Sequence, residues 1–526
     1  MTLTGWLLFF LLIQVIHFFA TWKLYVKAGR KAWEAAVPIY NAIVLMQIIN
    51  RPKWWVILLF IPIINLFMFP VIWVETIRSF GKNSTLDTVL VLITFGFYIY
   101  YVNYMLDVEH VKGRSIKPKT GTGEWVSSII FAIIAATLVH TYFMQPYTIP
   151  SSSLEKTLYI GDFLFVSKFH YGARVPMTTI AAPMVHDTIP LLKTKSYLFS
   201  DDFSKRKTAW ANKFQLPYFR LPGLQKIQRN DIVVFNQPAD TLLDMNDFYP
   251  DRNYYKPIDK KTNLVKRCVA IAGDSLEIRD GYVYINGKRS VLPDRAKTQY
   301  NFFVNTGGQA INGLTLRKRY GVREGGRLRD GNYYVTLTDK EAARIAKNPV
   351  VKSVKKDIKP KGVGEDRLFP QVPSLKWNID NYGPIYIPKK GATVKLTKET
   401  LPFYKRIIME YEGNTLLVNG DEILINGKDT DTYTFKQDYY WMMGDNRQNS
   451  LDARFWGYVP FDHVVGKPVF IWFSWETNEK GINKVRWNRL FTTVNGSGEP
   501  VSYFKYFLGL LVLWFVFDFF RKRKKA

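Results

Sequence analysis

The sequence predicts a mainly β domain carried between α-helical membrane anchors, and three observations predict it. Long apolar runs are clumped at the two ends of the 526-residue chain. The stretch between them, about 147 to 500, alternates apolar and polar residues between Gly, Asn and Asp turns. A single cysteine, Cys268, excludes an internal disulfide, so the large domain must rest on its own core.

The anchors come first. The runs 3–22, 54–74, 86–106, 125–144 and 503–520 each approach the roughly 20 residues that a helix needs to cross a bilayer. The first reads as a retained span and not a cleavable leader. It lacks a basic start, its charges (Lys23, Lys27, Arg30, Lys31) follow the apolar run, and further spans come after it. The apolar stretch 33–50 is interrupted by Pro38 and polar residues and reads as an interfacial or re-entrant helix. Asn41, Asn50 and Asn65, in or beside apolar runs, read as helix-packing polar groups. Basic residues retained on the cytoplasmic side set the orientation. Three clusters agree on an outside N-terminus and five crossings: Lys23 to Lys31; Lys112, Arg114, Lys117 and Lys119; and Arg521, Lys522, Arg523, Lys524 and Lys525. Arg78 and Lys82 fall on the wrong side of that arrangement.

The expected organisation is therefore a membrane domain at 1–108 with about three helices, a basic cytoplasmic loop at 109–124, and a spanning helix at 125–144. An extracytoplasmic domain follows at 145–490, then a last span at 503–520 with a basic tail at 521–526. The net charge of +28 raises a nucleic-acid reading. The charge is dispersed through the middle and concentrated beside apolar runs, with no nucleic-acid motif, so membrane-flanking charge explains it and no nucleic-acid partner is expected.

In the middle, 162–169, 231–238, 275–288, 414–428 and 463–475 read as strands or hairpins, and 338–348 as a helix. Two of these segments end in "INGK", which predicts similar hairpins. Stretches 176–226 and 300–400, rich in Lys, Arg, Gly and Pro, read as insertions on a compact β core.

For chemistry, histidine offers little. The middle holds only His170, His186 and His463, without metal-ligand spacing or an acid-spaced context, so no metal site or His-based triad is expected. A lysine can serve as base once burial disfavours its charged form. Lys266 in "NLVKRCVAIAGDSLEI" lies in an apolar strand, and on that evidence alone a solvent-facing edge lysine is the commoner outcome. "TIPSSSLEKTL" (148–158) alone reads as a solvated serine loop, and "WMMGDNRQNSLDARFWGYVP" (441–460) as a turn stitched by Asx bonds and an Asp–Arg pair.

Four stretches taken together carry more. "PSSSLEKTLYIGD" (150–162), "RNDIVVF" (229–235), "KRCVAIAGD" (266–274) and "GDNRQNSLDARFWG" (444–457) resemble, in order and spacing, the boxes of the bacterial type I signal peptidases. These are membrane-bound Ser–Lys proteases that remove signal peptides from exported proteins. The resemblance implies a signal-peptidase-type β-barrel or β-sheet catalytic domain at the outer face of the bacterial cytoplasmic membrane. It implies Ser153 as nucleophile, Lys266 as general base, Ser151 in the oxyanion hole and Ser450 orienting the lysine. Asp445, Asn446, Arg447, Asp452 and Arg454 would support that loop. The substrate would add as a strand beside 145–150 and beside the strand holding Leu264 and Val265. Tyr147, Ile149, Leu154, Leu158, Leu264 and Val265 would shape small pockets that accept Ala at the first and third positions before the cut. Implied partners are signal-peptide-bearing pre-proteins, the phospholipid bilayer and the secretion translocon, with no cofactor. Four positions depart from the pattern: Leu154 stands for Met, Lys156 for Pro, Asn230 for Gly and Ala453 for Ser. Region 1–108 resembles a small membrane domain of unknown function found alone and fused in bacteria. The other readings are a relative of the self-cleaving Ser–Lys repressors, which are soluble, and a binding scaffold on an inactive peptidase fold. A Cys268 nucleophile would lack a histidine to activate it.

Overall fold

The computed structural model describes residues 2–118, 120–242 and 253–523, so Lys119, Lys524 and Lys525 lie outside the described residues. The chain forms two compact units. The first holds 1–143, 174–221 and 240–262, and the second 144–173, 222–239 and 263–526.

In the first unit, α1 (Leu3–Lys27) starts where the Thr2 hydroxyl accepts the Gly5 amide at 3.1 Å. The second long helix, α2 (Gly121–Leu138), continues through a wider-pitched turn, Val139–Phe143. By length and composition these are the two helices among the described residues able to cross a membrane. Two of the expected runs are broken in the structure. Run 54–74 is split into short helices Trp55–Leu58 and Asn65–Arg78. Pro62 lies in the break, has no amide to donate and clashes with the preceding turn, while Ile63 turns to a φ of 70°. Run 86–106 is split into Thr85–Ile93 and Tyr98–Tyr104, bent by 119°. Here Gly96 adopts a φ of 85° with the Trp73 ring so close that a Cβ would overlap it. If that bent pair is one span, the count rises to three. The stretch 33–50 gives only a one-turn helix and the nine-residue helix Tyr40–Ile48, too short to cross. Asn41 bonds Gln14 at 2.8 Å, and Glu75 pairs with Arg51 and Arg114.

In the second unit the main sheet runs β1 (Met144–Thr148), β2 (Asp162–Ser167), β3 (Ile232–Asn236), β4 (Asn263–Ala270), β5 (Tyr439–Met443), β6 (Val459–Pro460), β7 (Val464–Ser474) and β8 (Thr492–Thr493) in sequence. In space the order is β1-β2-β7-β3-β4-β5-β6, with β8 on β7 and every neighbour antiparallel. Alternation divides β3 and β4 between two cores. Ile232, Val234 and Val265 join Ile149, Leu154, Leu158, Leu164 and Val166 on the inner face. Val233, Phe235, Cys268 and Leu264 join the larger core on the other. Each fully buried Val, Leu or Ile contributes about 1.5–3 kcal/mol.

The 300–400 stretch contributes a four-stranded sheet in the order Ser353–Lys356, Tyr300–Asn305, Tyr333–Leu337, Gly325–Arg327. Helix Asp339–Ile345 shares its core, with Ala342 and Ile345 buried there. The two "INGK" segments form matching hairpins. Asn286–Gly287 and Asn426–Gly427 turn with positive φ at both residues, the geometry that joins right-twisted strands. The last helix, α3 (Phe504–Arg523), carries exposed apolar side chains along its length. Lys505, Asp518 and Arg521 make it more charged than the two long helices of the first unit.

Candidate active site

After β1 the chain turns through Pro150 into a tight turn, Ser152–Leu154. Leu154 anchors this turn in the inner core, and Ser153 beside it is 8% exposed. Ser151 precedes it, extended and exposed. The turn is tied to the 444–457 segment: Asn446 donates its amide to the Ser153 carbonyl at 3.1 Å and its Nδ2 to the Ser152 carbonyl at 3.2 Å.

Lys266 pairs with Val233 across the β3–β4 ladder and is 4% exposed, so the solvent-facing alternative does not hold. Burial pulls its amine down to about 8, with Asp452 and Asp445 working against the shift and Arg454 with it. The amine makes no hydrogen bond or ion pair among the described residues. The β4–β5 ladder ends at Met443 opposite Arg267, so the next residue, Gly444, comes level with Lys266. A Cβ on Gly444 would collide with both the Ser450 hydroxyl and the Ser153 carbonyl oxygen. The Ser153 carbonyl and the Ser450 hydroxyl therefore lie against the glycine that stands level with Lys266, and the buried Ser450 Oγ has no hydrogen-bond partner among the described residues. Gly444→Ala should cut turnover about 100-fold, since a displacement near 1 Å has that effect. Steady-state kinetics with a circular dichroism check of folding would test it, and unchanged kcat would refute the close approach.

Two buried ion pairs brace the segment. Arg267 grips Asp445 through Nε at 2.7 Å and Nη2 at 2.6 Å, while the Thr157 hydroxyl donates to Asp445 at 2.6 Å. Burial alone would raise the Asp445 carboxyl, but the Arg267 guanidinium overrides it and holds it low. Arg454 grips Asp452 with both bonds at 2.9 Å, and Asp452 accepts the Gly444 amide at 3.1 Å. Burial would likewise raise Asp452, and Arg454 keeps it low. Arg447 is buried against Met443 Sδ and gives its carbonyl to Arg454.

Arg267 lies within the "KRCVAIAGD" stretch, to which the resemblance assigns only Lys266 a role. The signal was present, because a buried arginine in mid-strand needs a buried acid. Also missed were Thr157 and the contacts from the inserted sheet. Glu324 accepts Asn446 Nδ2 at 2.8 Å, and Glu341 pairs with Lys156 at 2.5 Å.

Two departures from the family pattern have local explanations. Asn230, where the pattern has Gly, adopts a φ of 71°, a left-handed conformation that Asn tolerates best after Gly. Lys156, where the pattern has Pro, adopts a φ of 68°, which a proline ring fixed near −65° cannot reach. Lys156→Pro, though it restores the family residue, should therefore lower stability by more than about 1 kcal/mol. A thermal melt no lower than that of the parent chain would contradict this.

Of the expected pocket residues, Tyr147, Ile149, Leu154, Leu158 and Val265 share the inner-face cluster. Leu264 stands on the opposite strand face, against the larger core. Among the described strands, β1 pairs on one edge only, and β5 covers β4 only from Arg267 onward, leaving the Leu264–Lys266 edge without a strand.

Comparison with known proteins bears on this arrangement. The family described as "Signal peptidase, peptidase S26" matches residues 122–342 and 429–475, about half the chain. A family of unknown function, DUF5684, matches residues 33–112. Among curated relatives, "Signal peptidase I" of Helicobacter pylori strain 26695 is 25% identical over 383 residues, covering 71% of this chain and 91% of that protein. "Signal peptidase I" of Buchnera aphidicola from Acyrthosiphon pisum is 22% identical over 389 residues, covering 72% and 86%. The Haemophilus influenzae protein of the same name is 23% identical over 384 residues, covering 72% and 78%.

Proposed function

Because the chain belongs to the signal peptidase family, peptidase S26, we propose that it cleaves signal peptides from exported pre-proteins with a Ser153–Lys266 dyad. The observation that carries this reading is the buried Lys266 amine, unpaired and held at about 8, level with the glycine on which Ser153 and Ser450 meet. Neutral Lys266 takes the Ser153 Oγ proton as that oxygen attacks the scissile carbonyl. The Ser153 amide and the Ser151 hydroxyl stabilise the oxyanion that forms. Lysine, now an ammonium, returns the proton to the departing amine. The same amine then activates a water that releases the acyl group from Ser153. In the working enzyme the otherwise unpartnered Ser450 hydroxyl takes up a hydrogen bond from Lys266 and keeps it aimed at the serine.

The substrate enters as an extended strand on the open edge of β4, with β1 on its other side. Tyr147, Ile149, Leu154, Leu158 and Val265 then line shallow apolar pockets suited to alanine. With five aliphatic or aromatic walls and no free polar group asked for, discrimination is by size. A synthetic precursor with an Ala-X-Ala site, incubated with the purified protein, should be cut after the last Ala. Replacing that Ala by Leu should lower kcat/KM by about 10- to 200-fold. Mass spectrometry locates the cut, and a cut elsewhere would overturn the pocket assignment.

The catalytic unit works outside the cytoplasmic membrane in this reading, where exported precursors emerge; the translocon is the implied neighbour. Cys268 is fully buried, so a Lys355→Cys chain carries one accessible thiol. It should react with an impermeant reagent in intact cells, and reaction only after lysis would invert the orientation.

A further inference from the structure

Residues 174–221 raise a separate question, because they fold with the first unit and leave large apolar side chains uncovered. Thr188 bridges Lys195, and the Lys193 amide bonds the Ile189 carbonyl at 2.8 Å, closing a tight hairpin whose tip is Pro190–Thr194. Leu191 is 96% exposed and Leu192 66%. The base of the hairpin is firm. Ala181, Tyr197 and Phe199 pack with Ile63 and Tyr255, and Lys195 Nζ reaches Asp201 at 2.9 Å and the Phe199 carbonyl at 2.8 Å. Two leucines at the end of a braced hairpin are not the residue of a collapsed core.

The next segment shows where the hairpin sits. Trp6, in the first turns of α1, donates its indole N–H to the Gln215 carbonyl at 3.3 Å. Rings then follow one another: Trp6 to Phe9 at 5.9 Å, Phe9 to Phe214 at 6.4 Å, and Phe214 to Trp210 at 6.2 Å. Trp210 ends the series, 65% exposed, with Phe203 uncovered nearby under the Arg206 guanidinium. Tryptophan and other aromatics gather where hydrocarbon gives way to headgroups, and this series starts at the end of an apolar helix. Between 191 and 213 there are six basic residues (Lys193, Lys195, Lys205, Arg206, Lys207, Lys213) and two acidic ones (Asp201, Asp202). Apolar tips among lysines and arginines match a negatively charged bilayer surface.

We propose that the Pro190–Thr194 tip and the Phe203–Phe214 segment form a membrane-surface contact, with Leu191, Leu192, Phe203 and Trp210 seated among the headgroups of an anionic bilayer. This rests on α1 crossing the membrane, and it requires nothing of the peptidase chemistry. The buried Cys268 again makes the test clean. The full chain carrying Leu192→Cys is labelled with a polarity-sensitive fluorophore and placed in nanodiscs containing phosphatidylglycerol. The label should emit to the blue of its aqueous value and lose intensity to a nitroxide carried near the lipid headgroup. Emission as in water would overturn the proposal. A blue shift without quenching would also overturn it, pointing to a protein partner or a buried tip. Quenching should weaken when phosphatidylcholine replaces phosphatidylglycerol, and equal quenching in both would overturn the electrostatic part. Precursor cleavage by the same labelled chain reports on the Ser–Lys reading separately.

Discussion

Replacing Lys266 by methionine is expected to abolish precursor cleavage, by about 10⁴-fold or more, and to raise the melting temperature. The two effects share one origin. Burial holds this amine at about 8, below the ordinary lysine value of about 10.5, so below pH 8 the folded chain holds a proton more weakly than the unfolded chain does. At about 1.4 kcal/mol per tenfold, that disfavours folding by roughly 3 kcal/mol at neutral pH. The disadvantage is complete below pH 8 and fades as pH rises toward 10.5, where unfolded lysine also loses its proton. Methionine fills the same space without a charge and removes it. Activity of the parent chain has the matching sign. It should rise as pH passes through about 8, because only the neutral amine can accept the Ser153 proton. A Lys266→Met chain that still cuts, or a parent profile flat from pH 6 to 10, would end the Ser–Lys assignment.

The second large effect is on stability. Asp445→Ala leaves the Arg267 guanidinium buried with no carboxylate, and removing one partner of such a pair costs about 3–5 kcal/mol. Asp445→Ala should therefore melt far below the parent chain and lose activity, because Asn446, which holds the Ser152 and Ser153 carbonyls, is its direct neighbour. The double variant Arg267→Met with Asp445→Leu should recover much of the lost stability, since no charge is then stranded. If the single and double variants melt alike, the pair is not what braces the segment.

These residues also mark how far the sequence could be read. The strands were legible from alternation, and the "INGK" turns from Asn–Gly chemistry, because both signals are local. The four boxes were legible as a set, and the Ser153 carbonyl and the Ser450 hydroxyl lie against Gly444, the residue level with Lys266. The breaks at Pro62 and Gly96 were not, because mean apolarity over 20 residues does not register one missing amide or one ring pressed on a glycine. The face of Leu264 was not legible either. One residue of strand register decides which core a side chain enters, and register is set by partners far along the chain. The same holds for Lys156 and Glu341, which meet across 185 positions of sequence.

The strand order has a consequence for how this enzyme comes into being. β7 lies between β2 and β3 in space, yet it is made some 230 residues after β3 begins. Until Val464–Ser474 arrives, the half of the sheet leading to the serine has no strand joining it to the half bearing the lysine. The brace at Asp445 and Asp452 is likewise a late product of synthesis. A growing chain thus carries Ser153 and Lys266 early, and gains the strand and the braces that unite them only late.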